Sequence, residues 1–319
     1  MKKSKTIIGL VCAIGAAVCY GTNPLAQFLY AEGMKVPSVL FYRFGLAWII
    51  VAIVMMFRKE SLRVTRREFL TLSALGILFI LSSTTLYTSF QLMPSGIAST
   101  ILFTYPVMTA AIMTLFFRER ITWITIASIL LSLVGVMLLT FNGIFTLQDF
   151  IDVLTFKSDK WAYSKLGIVL VLISALTYAL YIIVVDKSPL QMSSFKINFY
   201  VLFYCALGNV VYAFLSGQPL MLPPTSTAWL WVSWLAVVPA IMALVMMVYA
   251  AKYLGSTPTA ILGALEPTTA VLIGVFVFAE PFSSRLLVGI VLVLAAVTLV
   301  VLGKARKKYP FANRIGKKK

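Results

Sequence analysis

The chain of 319 residues contains no histidine. That removes the commonest metal ligand and the usual proton shuttle at neutral pH. Acids are nearly as scarce, with Asp and Glu totalling 10 against 27 Lys and Arg. Charged residues of both signs make up 12% of the chain while 61% is apolar, which excludes an ordinary water-soluble core. The three cysteines, Cys12, Cys19 and Cys205, are odd in number and lack CxxC spacing. They read as small packing residues, not as disulfide or metal partners. There is no phosphate-cradling glycine loop, and no lysine lies deep within an apolar run to partner a serine. No metal and no cofactor are therefore expected. An enzyme is not expected either, because membrane-embedded chemistry needs paired groups that are missing here. No ring of charges or carbonyl filter signature suggests a channel.

What is present is apolar sequence in long runs. Hydrocarbon about 30 Å thick is crossed by roughly 20 apolar residues in a helix. Ten such segments are readable: 6–29, 38–57, 69–91, 96–117, 121–141, 166–185, 195–215, 227–250, 257–279 and 284–303. The first runs past the length of a cleavable signal and contains Asn23-Pro24, so it is expected to be retained as a span. The expected fold is an all-α integral membrane protein of ten transmembrane helices.

The formal net charge of +17 does not point to nucleic acid, because its distribution is topological. With the amino terminus inside, 21 of the 27 basic residues fall on the cytoplasmic side and five outside, leaving Arg43 within a span. Retention of basic loops explains that bias and predicts both termini cytoplasmic. The tail after Lys304 is basic enough to touch anionic headgroups. The expected location is a cell membrane, as a multi-pass protein of a bacterial inner membrane. Lipid bilayer and a small molecule are the expected partners; oligomeric state is not readable.

The halves echo each other. At an offset of 158, Gly9 aligns with Gly167, Ala17 with Ala175 and Tyr20 with Tyr178. At 161, Pro106 aligns with Pro267, Phe117 with Phe278 and Glu119 with Glu280. Five spans per repeat is an odd number, so the second repeat enters the membrane from the other side. Inverted repeats of this kind are a recurrent transporter design.

These residues also carry a resemblance. The sequence resembles the EamA-type branch of the drug/metabolite transporter superfamily over nearly its whole length. The resemblance rests on Tyr20-Gly21-Thr22-Asn23-Pro24, on Ser95-Gly96-Ile97-Ala98-Ser99 leading to Tyr105-Pro106, and on Arg118-Glu119-Arg120-Ile121-Thr122. Ser256-Thr257-Pro258 leading to Glu266-Pro267, and the hinge Glu280-Pro281-Phe282-Ser283, complete it. It implies ten helices as two inverted five-helix EamA-like repeats, here 1–141 and 166–303. An extracytoplasmic linker at 142–165 joins them and a basic tail, 304–319, follows. It also implies a secondary transporter exporting small metabolites or drugs by alternating access, with proton coupling as one mode. A membrane-embedded enzyme or a non-transporting structural membrane protein is the alternative.

Polar residues inside spans mark the expected site, because they are costly in hydrocarbon and face the bundle interior. Tyr20, Asn23 and Gln27 share one helical face, as do Thr84, Tyr87 and Gln91. Ser174, Tyr178 and Tyr181, then Thr259, Gly263 and Glu266, extend the pattern to two more helices. Tyr20, Asn23, Tyr87, Gln91, Tyr105, Tyr178 and Glu266 are the substrate-binding candidates. Interhelical hydrogen bonding is the competing reading, and the favoured one for Ser and Thr. Glu266 is the one acid deep within a span, the repeat partner of Tyr105, and a candidate carrier of a coupling proton. Arg43 is expected to be structural, snorkelling to the interface or pairing with an acid. Glu119 and Glu280 are expected to cap the helices that follow them. Trp229, Trp231 and Trp234 read as an interfacial belt.

Overall fold

Inside hydrocarbon every backbone N–H and C=O must find its partner within the chain, and a helix supplies those partners locally. The computed structural model describes residues 2–92, 98, 101–119, 121–140, 165–188, 192–277 and 284–308, and these contain helices and no strands. The linker at 142–164, the Glu280 hinge and the tail beyond 308 lie outside the described residues.

Helix α1 (Lys2–Tyr20) is followed by a 3-10 turn (Asn23–Ala26) and the short α2 (Gln27–Ala31). Next come α3 (Val36–Phe57), α4 (Arg66–Leu92), α5 (Tyr105–Phe117) and α6 (Trp123–Thr140). Then α7 (Lys165–Lys187), α8 (Ser194–Leu215) and α9 (Ser226–Leu235) lead to a π-turn (Ala236–Met242) that continues into α10 (Ala243–Leu254). Last are α11 (Ser256–Leu262), α12 (Leu265–Val277) and α13 (Ser284–Lys308). Among the described residues, seven helical stretches are long and apolar enough to cross a membrane, and three apolar helices, Tyr105–Phe117, Trp123–Leu138 and Leu286–Val300, are shorter.

Helices pair mostly across the two halves of the chain. α4 packs on α7, α1 on α10, α3 on α8 and α6 on α13, while α5 lies against α7 and α11. With no hydrophobic drive between helices in lipid, close approach depends on small residues. A Cβ at Gly76 of α4 would lie 2.5 Å from the Tyr204 side chain of α8, and one at Gly208 of α8 would lie 2.7 Å from Ile80 of α4. The inner faces merge into one core running from Ala13 through Phe44, Tyr181 and Val248 to Val300. Outer faces stay apolar, as at Val11, Met56, Leu115 and Phe214, which suits contact with acyl chains.

Helix ends are satisfied by short polar side chains. Thr65 and Glu68 form a reciprocal capping box, the Thr65 N–H donating to the Glu68 carboxylate at 2.7 Å and the Glu68 N–H to the Thr65 hydroxyl at 3.3 Å. The amino end of α6 is capped by Thr122, whose hydroxyl accepts from the Thr125 N–H at 3.2 Å. Glu119, expected in that role, is exposed instead, because α5 closes with Arg118 in the left-handed region and turns the carboxylate away. Trp231 stacks on Phe28 at 4.5 Å between ring centres, whereas Trp229 and Trp234 remain partly exposed.

Candidate functional site

Proline sets the geometry of the site. Pro24 has no N–H to donate and its ring crowds the preceding turn, so α1 stops at Tyr20 and the chain tightens into the 3-10 turn. Pro106 and Pro267 each sit in the first turn of a helix, where N–H groups lack intrahelical partners anyway. α5 therefore begins at Tyr105 after a turn at 103–104, and α12 begins at Leu265 after a turn at 263–264. Both breaks face the middle of the bundle. Breaks at this depth are tolerated where the backbone is buried in protein or lines a cavity.

Between them lies a cavity of about 50 Å³. Tyr20 and Asn23 line it from α1 and the 3-10 turn, and Arg43 from α3. α4 supplies Phe79, Ser82, Ser83, Leu86 and Tyr87. Leu102, Tyr178 of α7 and Glu266 of α12 close it. The volume admits a few waters at most and is far below the roughly 300–1,000 Å³ that holds a drug-sized ligand.

A hydrogen-bonded chain crosses one wall. The Arg43 guanidinium donates to the Tyr87 hydroxyl at 2.5 Å and to the Pro239 carbonyl at 3.2 Å. Tyr87 in turn donates to Asn23 Oδ1 at 3.3 Å. The Pro239 carbonyl that accepts from Arg43 lies within the π-turn. Arg43 does not snorkel. Its side chain is 3% exposed, and it rests against the rings of Phe44 and Tyr87. A cation here is stabilised by dipoles and π-faces, with no carboxylate touching it. Among the described residues its Nε has no hydrogen-bond partner.

Aromatic rings form the opposite wall. Tyr178 meets Tyr20 edge-on at 6.4 Å and Tyr105 edge-on at 4.9 Å, and stacks parallel to Tyr181 at 6.4 Å. The hydroxyls of Tyr20, Tyr105 and Tyr178 are buried and have no hydrogen-bond partner among the described residues. The carboxylate of Glu266 likewise has no hydrogen-bond or ion-pair partner among them. Two opposite charges thus line one small space without pairing.

Of the residues singled out in the sequence, Tyr20, Asn23, Tyr87, Tyr178 and Glu266 converge on the cavity. Tyr105 sits one layer behind, its ring on Tyr178 and its hydroxyl against Gly263. Gln91 is exposed near the end of α4 and does not reach the cavity. Gln27 is exposed too, because the 3-10 turn rotates α2 away from the face that Tyr20 and Asn23 share. Ser82 and Ser174 join α4 to α7, Ser174 Oγ donating to the Ser82 carbonyl at 2.8 Å and Ser82 Oγ to the Ser174 carbonyl at 3.1 Å. Arg43 is the cavity residue that the sequence reading set aside. Its isolation as the one base within a span was the available signal.

Gly263 is irreplaceable on steric grounds. A Cβ there would lie 1.7 Å from the Tyr105 hydroxyl and 2.9 Å from the Ala260 carbonyl. Gly263→Ala should lower stability by about 1–3 kcal/mol, as overpacking does in a filled core. A fall in the thermal midpoint of detergent-solubilised protein would show it, and an unchanged midpoint would mean that Tyr105 does not pack on the helix break.

Polar latches tie the bundle at both ends. At one end Ser193 donates to the Glu60 carboxylate, Lys196 Nζ donates to the Arg63 carbonyl at 2.6 Å and the Tyr200 hydroxyl to the Leu62 carbonyl at 2.6 Å. At the other, Thr225 donates to the Glu32 carboxylate and the Met221 N–H to Ser38 Oγ at 3.0 Å.

Comparison with known proteins fits this arrangement. The model of the EamA-like transporter family matches residues 7–141 and again 165–302. A curated protein of Archaeoglobus fulgidus named "Uncharacterized transporter" is 26% identical over 291 residues, spanning 91% of this chain and 95% of its own length. A solved structure described only as "Crystal structure of protein" superposes with a TM-score of 0.76 over 94% of this chain and 98% of its own, at 16% identity, and shows a shared fold.

Proposed function

The chain belongs to the EamA-like transporter family, and from that premise we propose that it is a secondary transporter exporting small metabolites by alternating access through the Arg43–Glu266 cavity. Membrane embedding and transport follow from the family and from the apolar helices. The proposal concerns the cavity, the direction and the mechanism.

The observation that carries it is the joint placement of Arg43 and Glu266 on one cavity at the breaks before α5 and α12. Five candidate polar residues converge there from four helices and the 3-10 turn, which interhelical hydrogen bonding alone does not require. Exchange of the two halves supports inverted repeats of ten spans, 1–141 and 166–303. It maps the pairing of α4 with α7 onto that of α10 with α1, and leaves α3 with α8 and α6 with α13 unchanged. Two such halves can each close one end of the cavity at similar energy, and latches at both ends suit that role. Glu266 is the proposed proton carrier.

The test is flux in proteoliposomes with a broad metabolite panel, with and without a proton gradient. Concentration-dependent flux of at least one class above protein-free vesicles is expected, and none across the panel would oppose the reading. Topology is tested separately. With both termini cytoplasmic in a cell membrane, a cysteine at Ser158 should react with an impermeant reagent from outside and one at Ser61 only from inside. Labelling of position 158 from the cytoplasm alone would reverse the assignment.

A further inference from the structure

We propose that the cavity carries a small organic monoanion, such as a monocarboxylate, together with a proton held on Glu266, so that the site is electrically neutral both loaded and empty. This rests on the transport reading above and names its substrate class and coupling.

The first support is donor–acceptor balance. Arg43 Nε–H can only donate and has no partner among the described residues. The hydroxyls of Tyr20 and Tyr178, also without partners, lie on the same cavity and can donate into it. All three side chains are at least nine-tenths buried, with exposures of 3%, 6% and 8%. Asn23 Oδ1 already accepts from Tyr87, so among the described residues the Glu266 carboxylate is the one anionic acceptor on the cavity. Donors left without acceptors are costly when buried, and a carboxylate presents acceptors only. An ammonium needs several acceptors and would find one.

The second support is charge. Empty, the cavity holds the Arg43 cation and the Glu266 carboxylate, which balance. A bound monoanion beside an ionised Glu266 would leave a net negative charge enclosed by hydrocarbon, which is strongly disfavoured. A proton on Glu266 restores neutrality and turns its carboxyl into one more donor. A zwitterion would be neutral without a proton and would move uncoupled, and a cation would add to Arg43.

The other groups around Glu266 do not supply the missing charge. α1 presents Tyr20, α3 Arg43, α4 Tyr87, α5 Tyr105 and α7 Tyr178. Of the elements packed on α12, α6 has no ionisable residue and α13 has them only at 285 and from 304 onward. Glu266 is thus the group that can change charge in step with the ligand. The step is proton transfer alone: water on one side protonates the Glu266 carboxylate, the neutral complex is occluded, and anion and proton leave to water on the other. An acid accumulated inside the cell is exported this way, a proton leaving with each anion, and the two gradients together set direction.

The test uses the full chain in liposomes containing trapped pyranine, with labelled lactate, alanine and choline as probes in counterflow. Lactate should exchange above protein-free vesicles while alanine and choline stay at background. Net lactate flux should shift lumenal pH by a proton for each lactate and ignore valinomycin-set potentials. Arg43→Gln should reduce lactate exchange about 30-fold or more, the scale for losing one partner of a buried charged hydrogen bond. Arg43→Lys, which keeps the charge, should retain part of it, and an unchanged thermal midpoint of Arg43→Gln separates its loss of exchange from misfolding. Counterflow of alanine or choline without lactate overturns the ligand class and leaves the transport reading intact. Lactate flux that follows the potential and moves no proton overturns the coupling. Counterflow of none of the three also overturns the proposal, and the broad panel then judges the transport reading on its own.

Discussion

Glu266→Gln abolishes net transport down a concentration gradient and leaves substrate exchange in place. That outcome follows from where the carboxylate sits, on the same cavity as the Arg43 cation and without a hydrogen-bond or ion-pair partner among the described residues. The amide keeps the size of the side chain and its hydrogen-bonding atoms but cannot titrate. Loaded carriers can still cross, so exchange should stay within about threefold of the unmodified protein, a modest change given the near-isosteric side chain. The empty carrier now holds an uncompensated cation, and its return across hydrocarbon is disfavoured. Net flux should fall to the level of protein-free vesicles and lose its pH dependence. Paired efflux and counterflow assays on the same vesicles read both quantities. A variant with normal proton-driven net flux would remove Glu266 from the coupling mechanism.

Arg43→Met should separate function from stability. Arg43 is buried at 3% exposure, and among the described residues the Tyr87 hydroxyl and the Pro239 carbonyl accept its hydrogen bonds. Replacement by an unbranched apolar side chain of similar length removes the desolvation penalty of a buried charge, a change that is often neutral or stabilising. Against this, the two groups that Arg43 contacts lose a partner, at about 1–3 kcal/mol each. The two effects offset, and a net change within about 2 kcal/mol is expected, with transport lost. Thermal unfolding alongside counterflow checks both halves. A purely structural arginine would instead lose stability and transport in parallel, and Arg43→Lys would restore the two together.

Much of the helical layout was legible because a bilayer imposes length and polarity on each segment, and local sequence satisfies both. The break at Asn23–Ala26 and the helix starts at Tyr105 and Leu265 fall inside segments 6–29, 96–117 and 257–279, which the length of the apolar run alone reads as continuous. Tyr20, Asn23, Tyr87, Tyr178 and Glu266 were legible as residues of an inner cavity because polarity in apolar surroundings is itself the signal. Gln91 and Gln27 carried that signal and still point away from the cavity. A continuous helical face was assumed through both, yet one lies near a helix end and the other beyond a 3-10 turn. Arg43 and the π-turn at Pro239 were missed together, because each depends on the other across 196 residues of chain. Asp186 was missed in the same way: it accepts from Ser256 N–H at 3.1 Å and its hydroxyl at 3.0 Å, a cap supplied by a distant helix. Periodicity reports which face of a helix is polar, and it carries nothing about which other helix meets that face.

The central claim is that this cavity opens in turn to each side of the membrane, and cysteine accessibility at Ser83 tests it most directly. Ser83 lines the cavity from α4, whereas Leu81 on the same helix is 44% exposed on the outer surface of the bundle. In a background with Cys12, Cys19 and Cys205 replaced, a cysteine at Ser83 should react with an impermeant thiol reagent applied from either side. One at Leu81 should react from neither. Reaction of the Ser83 cysteine from one side only, under every gradient applied, would contradict alternating access through this cavity.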